Sequence, residues 1–111
     1  MIRVAKKGAK CINTMLVNEY PIDVIIKYMN PETGLPEAGW NKFSIKSIND
    51  HLVNTSHVSN VKFIKHFMPF DIKRRDDLMR SWTETNTKGE RILWNGLNME
   101  ISLYHIYFEK I

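Results

Sequence analysis

Apolar residues recur every three or four positions along the stretch from residue 44 to residue 67. Such spacing predicts two short amphipathic helices, each with one apolar side. The apolar positions are Ile45, Ile48 and Leu52 in the first helix and Val58, Val61 and Ile64 in the second. Residues 54–56 separate the two sets, and their side chains are of the kinds that cap helices. We therefore expect a pair of helices at the centre of the chain, with the other segments packed around it.

The first of these helices begins with a capping signal. Ser44 is a favourable N-cap, and Phe43 and Ile48 stand where the two partners of a hydrophobic staple would stand. With this serine and the apolar pattern of Ile45, Ile48 and Leu52, residues 44–67 resemble the helix-turn-helix of DNA-binding proteins. The resemblance implies that the second helix enters a DNA groove, with short polar residues near base edges and lysines near phosphates.

The resemblance and the basic residues that follow it together provide the candidate nucleic-acid contacts. These are Ser56, His57, Ser59, Asn60, Lys62, Lys65, Lys73, Arg74 and Arg75. Residues 62–80 hold six cations and three carboxylates, so we expect a basic helical face that could bind phosphate. Three other interpretations remain open. The two helices could simply pack in the core, the charges could form a solvated face with Arg–Asp pairs, or residues 59–68 could form a strand.

The flanking segments predict an α+β fold. Residues 22–29 fit a strand better than a helix, because turn-forming residues follow at 30–34 and residues 35–43 can return as a weak strand or a loop. Asp71 is expected to cap a third amphipathic helix over residues 72–82. The pair Asn95-Gly96 predicts a two-residue turn between strands 91–94 and 97–108. We predict one α+β domain over residues 1–111, in which a helix-turn-helix-like centre and a third helix pack with a C-terminal β-hairpin and an N-terminal strand or hairpin.

The residue types argue against several classes of site. Cys11 is the single cysteine, so the chain can form neither an internal disulfide nor a cysteine-based zinc site. The four histidines lack the spacing of a zinc-binding helix, and the glycines are too scattered for a phosphate-binding loop. We therefore expect no metal, no cofactor and no enzymatic activity. Because no apolar run is long enough to span a membrane and no signal peptide is recognised, we expect a cytoplasmic protein without a membrane partner.

Charge and composition favour a small binding protein. The chain has 16 basic and 12 acidic residues and a net charge of +4, which favours acidic partners. Residues 1–10 hold four cations and no acid, and they either touch phosphate or form a solvated terminus. Ile, Lys and Asn supply 34 of the 111 residues, a bias typical of AT-rich genomes, including those of phages.

We therefore expect a non-enzymatic protein that contacts nucleic acid or a nucleoprotein complex through the basic helical face. A homodimer would suit DNA binding at two half-sites. The alternative is a phage or mobile-element inhibitor that blocks a host defence enzyme by direct protein–protein contact, and such a protein should carry an exposed apolar patch or a free sheet edge.

Overall fold

The computed structural model describes residues 2–55, 57–77, 79–97 and 99–111. The structure is mostly strand, with a strand content of 43% and a helical content of 12%, and the described residues contain one α-helix. In chain order the elements are β1 (Lys10–Asn18), β2 (Lys27–Met29), β3 (Pro36–Ala38), β4 (Phe43–Ser44), α1 (Ile45–Thr55), β5 (Val58–Lys65), β6 (Trp82–Thr85), β7 (Arg91–Asn95), β8 (Met99–Glu100) and β9 (Leu103–Lys110). A single 3-10 turn, Ile2–Val4, precedes β1.

The main sheet is curled and has the strand order β4-β1-β9-β5. Strand β9 lies antiparallel between β1 and β5, and the short β4 pairs with β1 in parallel. Helix α1 packs on one face and closes a core formed by Cys11, Val17, Leu52, Val58, Tyr104, Ile106 and Phe108. Because side chains alternate between the two faces of a strand, the intervening residues lie on the opposite side. We call that side the outer face; it carries Ile12, Thr14, Leu16, Ser59, Lys62, Ile64, His66, Leu103, His105 and Tyr107.

The first of the two predicted central helices is present as α1. Its N-cap is Ser44, whose Oγ accepts a hydrogen bond from the Ser47 backbone N–H at 3.0 Å. This bond satisfies one of the amide groups that a helix leaves unpaired at its beginning. The helix therefore begins where the local capping signal placed it.

The prediction of a second central helix is wrong, because residues 58–65 form strand β5. The chain therefore has a helix followed by a strand at its centre, and not a helix-turn-helix. The pairing of β5 with β9 shifts register between Ser59 and Lys62, and Asn60 at this bulge has a φ of +54°. One extra residue in a strand moves the alternation by one position. Val58 and Val61 therefore both face the core although they are three residues apart, and this spacing is the same as that of apolar residues in a helix.

The prediction of a third helix over residues 72–82 is also wrong. The described residues 72–77 and 79–81 lack regular structure, and Ile72 pairs instead with β6. Its backbone N–H donates to Thr83 Oγ1 at 2.8 Å, and its carbonyl accepts from the Thr83 N–H at 3.0 Å. The Asp77 carboxylate accepts the Met79 N–H at 3.0 Å, a local bond that competes with helix formation.

Two small antiparallel sheets complete the fold. Strands β2 and β3 pair across the turn predicted at residues 30–34. A hairpin forms between β7 and β8 near the Asn95-Gly96 signal, and β6 joins it to make a three-stranded sheet. The predicted two-residue turn is wrong, because Asn95 belongs to β7 and lies opposite Met99 of β8. The predicted strand 97–108 is divided: the chain leaves this sheet at Ile101 and Ser102, and β9 then enters the main sheet.

Candidate binding surfaces

The chain exposes more surface than a compact monomer of its mass. Its accessible area is 8034 Å², whereas a globular monomer of 13.1 kDa has about 6,400 Å². The radius of gyration is 16.5 Å, against about 13 Å for a compact domain of this length. The excess area of roughly 1,600 Å² is comparable with the total area buried in a standard protein–protein interface.

Much of the exposed apolar surface belongs to residues 20–43, which we call the apolar arm. Seven large apolar side chains of this segment are between 39% and 73% exposed. They are Tyr20, Ile22, Ile25, Met29, Leu35, Trp40 and Phe43. Single exposed apolar residues are ordinary on a protein surface, whereas a contiguous apolar patch is typical of an interaction site. The apolar arm is therefore a candidate binding surface.

The backbone of the apolar arm is held in place by polar contacts. The Asp23 carboxylate accepts hydrogen bonds from the Ser44 backbone N–H at 2.7 Å and from the Ser47 hydroxyl at 2.8 Å. These two bonds, the backbone one first, lower the pKa of Asp23 below its ordinary value. Further along, the Asn41 side chain accepts the Ile26 N–H at 3.0 Å. The arm is thus tied to the beginning of α1 while its apolar side chains remain exposed.

The positive charge of the protein is concentrated where β1 begins, β9 ends and β5 begins. We call this region the basic end; it comprises residues 2–13, 57–63 and 106–111. It holds six cations and one side-chain carboxylate, a net charge of +5, and the rest of the chain, with ten cations and eleven carboxylates, has −1. The basic residues are Arg3, Lys6, Lys7, Lys10, Lys62 and Lys110. A hydrogen bond of 2.7 Å from the Gly8 N–H to the Lys110 carbonyl ties the N-terminal segment to β9.

A groove of about 930 Å³ lies between α1 and the core side of the main sheet, within the size range of ligand pockets. Its walls are mainly apolar and include Met15, Ile48, Leu52, Ile106 and Phe108. Asp23 and Phe43 of the apolar arm line it, as do Arg3, His57 and Lys110 of the basic end. The groove therefore connects the two surfaces.

The predicted contacts between residues 56 and 62 do not share one helical side. Ser56 lies outside the described residues. His57 lines the groove, and Asn60 sits at the bulge of β5. Ser59 and Lys62 lie on the outer face, since they are opposite Glu109 and Tyr107 of β9. The strand thus distributes these side chains over different parts of the surface.

Lys65 is engaged in a structural ion pair. Its Nζ donates to Glu19 Oε1 at 2.7 Å, and the Tyr104 hydroxyl donates to the same oxygen at 2.5 Å. The bonds from Lys65 and Tyr104 lower the pKa of Glu19, whereas burial and the bond to Glu19 raise the pKa of Tyr104. Lys65 also points to the core side of β5, opposite Tyr104.

Lys73, Arg74 and Arg75 lie in the irregular segment before β6 and are exposed. The Arg74 guanidinium stacks over the Trp82 ring at 4.8 Å. Residues 71–80 hold four cations and three carboxylates, so the charge there is nearly balanced. These residues do not form a common helical face with Lys62 and Lys65, because neither of the two helices that would have carried that face exists in the described residues.

The outer face presents side chains in rows that cross three strands. Lys62, Tyr107 and Ile12 form one row, and Ile64, His105 and Thr14 form the next. Ile12 and Ile64 are 54% and 50% exposed. Sequence reasoning missed these rows and the apolar arm, although it predicted residues 97–108 as a strand.

No protein-family model, no curated protein and no solved structure matches this chain. Among the described residues, no helix combines the length and the apolarity needed to cross a bilayer. The candidate function of this chain therefore rests on its own surfaces.

Proposed function

We propose that this chain is a non-enzymatic binding protein that docks on a nucleoprotein complex. In this proposal the apolar arm contacts a protein, and the basic end contacts the nucleic acid. The observation that carries the proposal is the exposure of seven large apolar side chains in the arm, on a backbone that Asp23 and Asn41 fix.

Two physical arguments support a protein contact at the arm. Aromatic residues such as Tyr20 and Trp40 often contribute most to binding energy at protein interfaces. A backbone that is already ordered has less entropy to lose on binding than a flexible segment. The arm is also close to neutral, with two cations and three carboxylates in residues 20–43, so its contact should depend little on salt.

The charge distribution supports a nucleic-acid contact at the basic end. A net charge of +5 on three short segments attracts a phosphate backbone, and this attraction is independent of base sequence. We place the contact in the cytoplasm, where the buried free thiol of Cys11 stays reduced.

The second candidate is an inhibitor, for example of phage origin, that occupies a host defence enzyme through the arm alone. The nearly neutral charge of the arm favours this candidate, because the arm can bind a protein without nucleic acid. The two candidates differ in what nuclease treatment does to the bound partner.

The first experiment is capture from a host lysate, with and without nuclease, using purified protein. The change is Ile22→Ser with Ile25→Ser, and the control is Val53→Ser with Phe70→Ser; all four side chains are 57–63% exposed. We expect the arm variant to lose the partners that the parent and control retain. Partners lost on nuclease treatment support the nucleoprotein complex, and partners kept support the enzyme inhibitor. Equal capture by both variants would show that the arm is not the docking surface.

The second experiment measures binding to a labelled oligonucleotide at several salt concentrations. Removing two phosphate contacts from the basic end, by Lys6→Gln with Lys7→Gln, should reduce the slope of log K against log salt by roughly 1.4 for a single strand and 1.8 for a duplex. The control, Lys73→Gln with Lys88→Gln, should leave the slope unchanged. A slope lowered by the control pair and unchanged by the Lys6 and Lys7 changes would contradict the assignment of the basic end.

A further inference from the structure

His66 and His105 direct ring nitrogens at each other on the outer face. The distance from His66 Nδ1 to His105 Nε2 is 3.1 Å, and the rings meet edge to face with centroids 4.9 Å apart. The sheet register produces this arrangement. His105 lies opposite Ile64, and the His66 N–H donates to the Leu103 carbonyl at 2.9 Å, so the two histidines are diagonal neighbours on adjacent strands.

Thr14 contacts the other nitrogen of His105. Its Oγ1 lies 2.8 Å from His105 Nδ1. When the Thr14 hydroxyl oxygen accepts a hydrogen bond from the Nδ1–H of His105, the lone pair of His105 Nε2 faces His66. A hydrogen-bond partner on the second ring nitrogen fixes the tautomer and orientation of metal-binding histidines in the same way.

We propose that His66 Nδ1 and His105 Nε2 together bind a divalent first-row transition-metal ion such as Cu²⁺ or Zn²⁺. Imidazole nitrogens favour these ions. With metal–nitrogen bonds of about 2.05 Å, two ligands are separated by about 2.9 Å in a tetragonal site and about 3.3 Å in a tetrahedral one. The observed 3.1 Å lies between these values, so the two rings need to tilt until their lone pairs converge on the ion while the nitrogens keep nearly the same separation.

The ion takes the place of the proton shared by the two rings. Without metal, one ring must donate an N–H across the 3.1 Å gap. When the ion binds, both facing nitrogens present lone pairs, and the proton of His66 moves to its Nε2, so no proton is lost overall. The described residues contain no group of three or more His, Cys, Asp or Glu that could hold a metal. The chain therefore supplies two ligands, and water or a partner molecule supplies the others.

The test uses the full chain, purified without a histidine tag and titrated with Cu²⁺ alone and with Zn²⁺ alone. Calorimetry gives affinity and stoichiometry, and the EPR spectrum of the Cu²⁺ form reports coordinated nitrogen. We expect one ion per chain, and a loss of affinity of at least tenfold in His66→Gln and in His105→Gln. His51→Gln, which removes an exposed histidine of α1 outside the pair, should bind as the parent does. Circular dichroism checks that each variant is folded.

Thr14 positions the His105 ring, and metal affinity measured in Thr14 variants tests this role. Thr14→Val should weaken metal binding by roughly tenfold with unchanged stoichiometry, and Thr14→Ser should restore it. Equal binding by Thr14→Val would remove this role from Thr14. The metal site itself would be overturned if the parent showed no saturable binding at micromolar metal, or if both His66→Gln and His105→Gln bound as tightly as the parent.

Discussion

Replacing Asn60 by alanine and by glycine distinguishes a bulged strand from a recognition helix, because the two structures reverse the order of stability. Asn60 has a φ of +54°, where an L side chain costs about 1–2 kcal/mol and glycine costs nothing sterically. Glycine loses more backbone entropy on folding, about 0.5–1 kcal/mol relative to alanine. Subtracting the second cost from the first leaves Asn60→Gly more stable than Asn60→Ala by about 0.75 kcal/mol, within a range of about 0–1.5 kcal/mol.

A helix gives the opposite sign. In a helix interior glycine is about 0.8–1.0 kcal/mol less favourable than alanine. The stability difference between the two variants that a bulged strand predicts therefore differs by roughly 1.5 kcal/mol from the one that a helix predicts. Both variants remove the hydrogen bond from Asn60 Nδ2 to Glu109 Oε2 at 3.2 Å, and its loss cancels between them.

Urea denaturation measures the difference, provided that the m-values of the two variants agree. We expect a higher midpoint for Asn60→Gly. A higher midpoint for Asn60→Ala at equal m would refute the bulge in β5 and restore the helix.

Three further changes test the core, the arm and the pH dependence. Leu52→Ala should lower the free energy of unfolding by about 2–5 kcal/mol, because Leu52 is buried in the core. The control Val53→Ala, on the exposed side of α1, should change it by less than about 0.5 kcal/mol. Urea denaturation of both variants measures these changes. Gly39→Ala would bring a Cβ within 2.4 Å of Ile26 Cγ2, so we expect a loss of about 1–3 kcal/mol from overpacking, and an unchanged midpoint would contradict the close approach in the arm. The pKa of Glu19 is lowered from its ordinary value of 4.5, so its contribution is complete above about pH 4.5 and is lost as the pH falls. Glu19→Gln should therefore be less stable than the parent by about 1 kcal/mol at pH 7, with a difference that shrinks below pH 4.5; a difference independent of pH would show that the charge of Glu19 contributes nothing.

The parts of the fold that depend on neighbouring residues could be predicted from the sequence. Helix α1 begins at the predicted cap because Ser44 and Ser47 are three residues apart and bond directly. The turn at residues 30–34 is equally local, since the Gly34 N–H donates to the Asn30 carbonyl.

The errors arose where a distant segment decided the conformation. The bulge at Asn60 gave β5 a helical spacing, and only its pairing with β9 reveals it. The segment predicted as the third helix is drawn to β6 by the contacts between Ile72 and Thr83, which are eleven residues apart.

The candidate surfaces were hidden from sequence reasoning for the same reason. The apolar side chains of the arm are exposed because no other element packs on them in the described part of the chain. The spacing of apolar residues in the sequence cannot predict this. His66 and His105 are 39 residues apart, and only the register of β5 against β9 brings their rings together. The predicted basic face also failed because it required two helices, whereas the excess charge collects where three strand ends meet.

Photo-crosslinking from the apolar arm tests the docking proposal most directly. A photo-reactive amino acid in place of Ile25, which is 62% exposed, should give one defined covalent adduct with a protein partner when the chain is irradiated in its host cell. The same amino acid in place of Val53, which is 57% exposed on α1, should give none. Equal adducts from both positions, or no adduct from position 25, would contradict the assignment of the arm as a protein-binding surface.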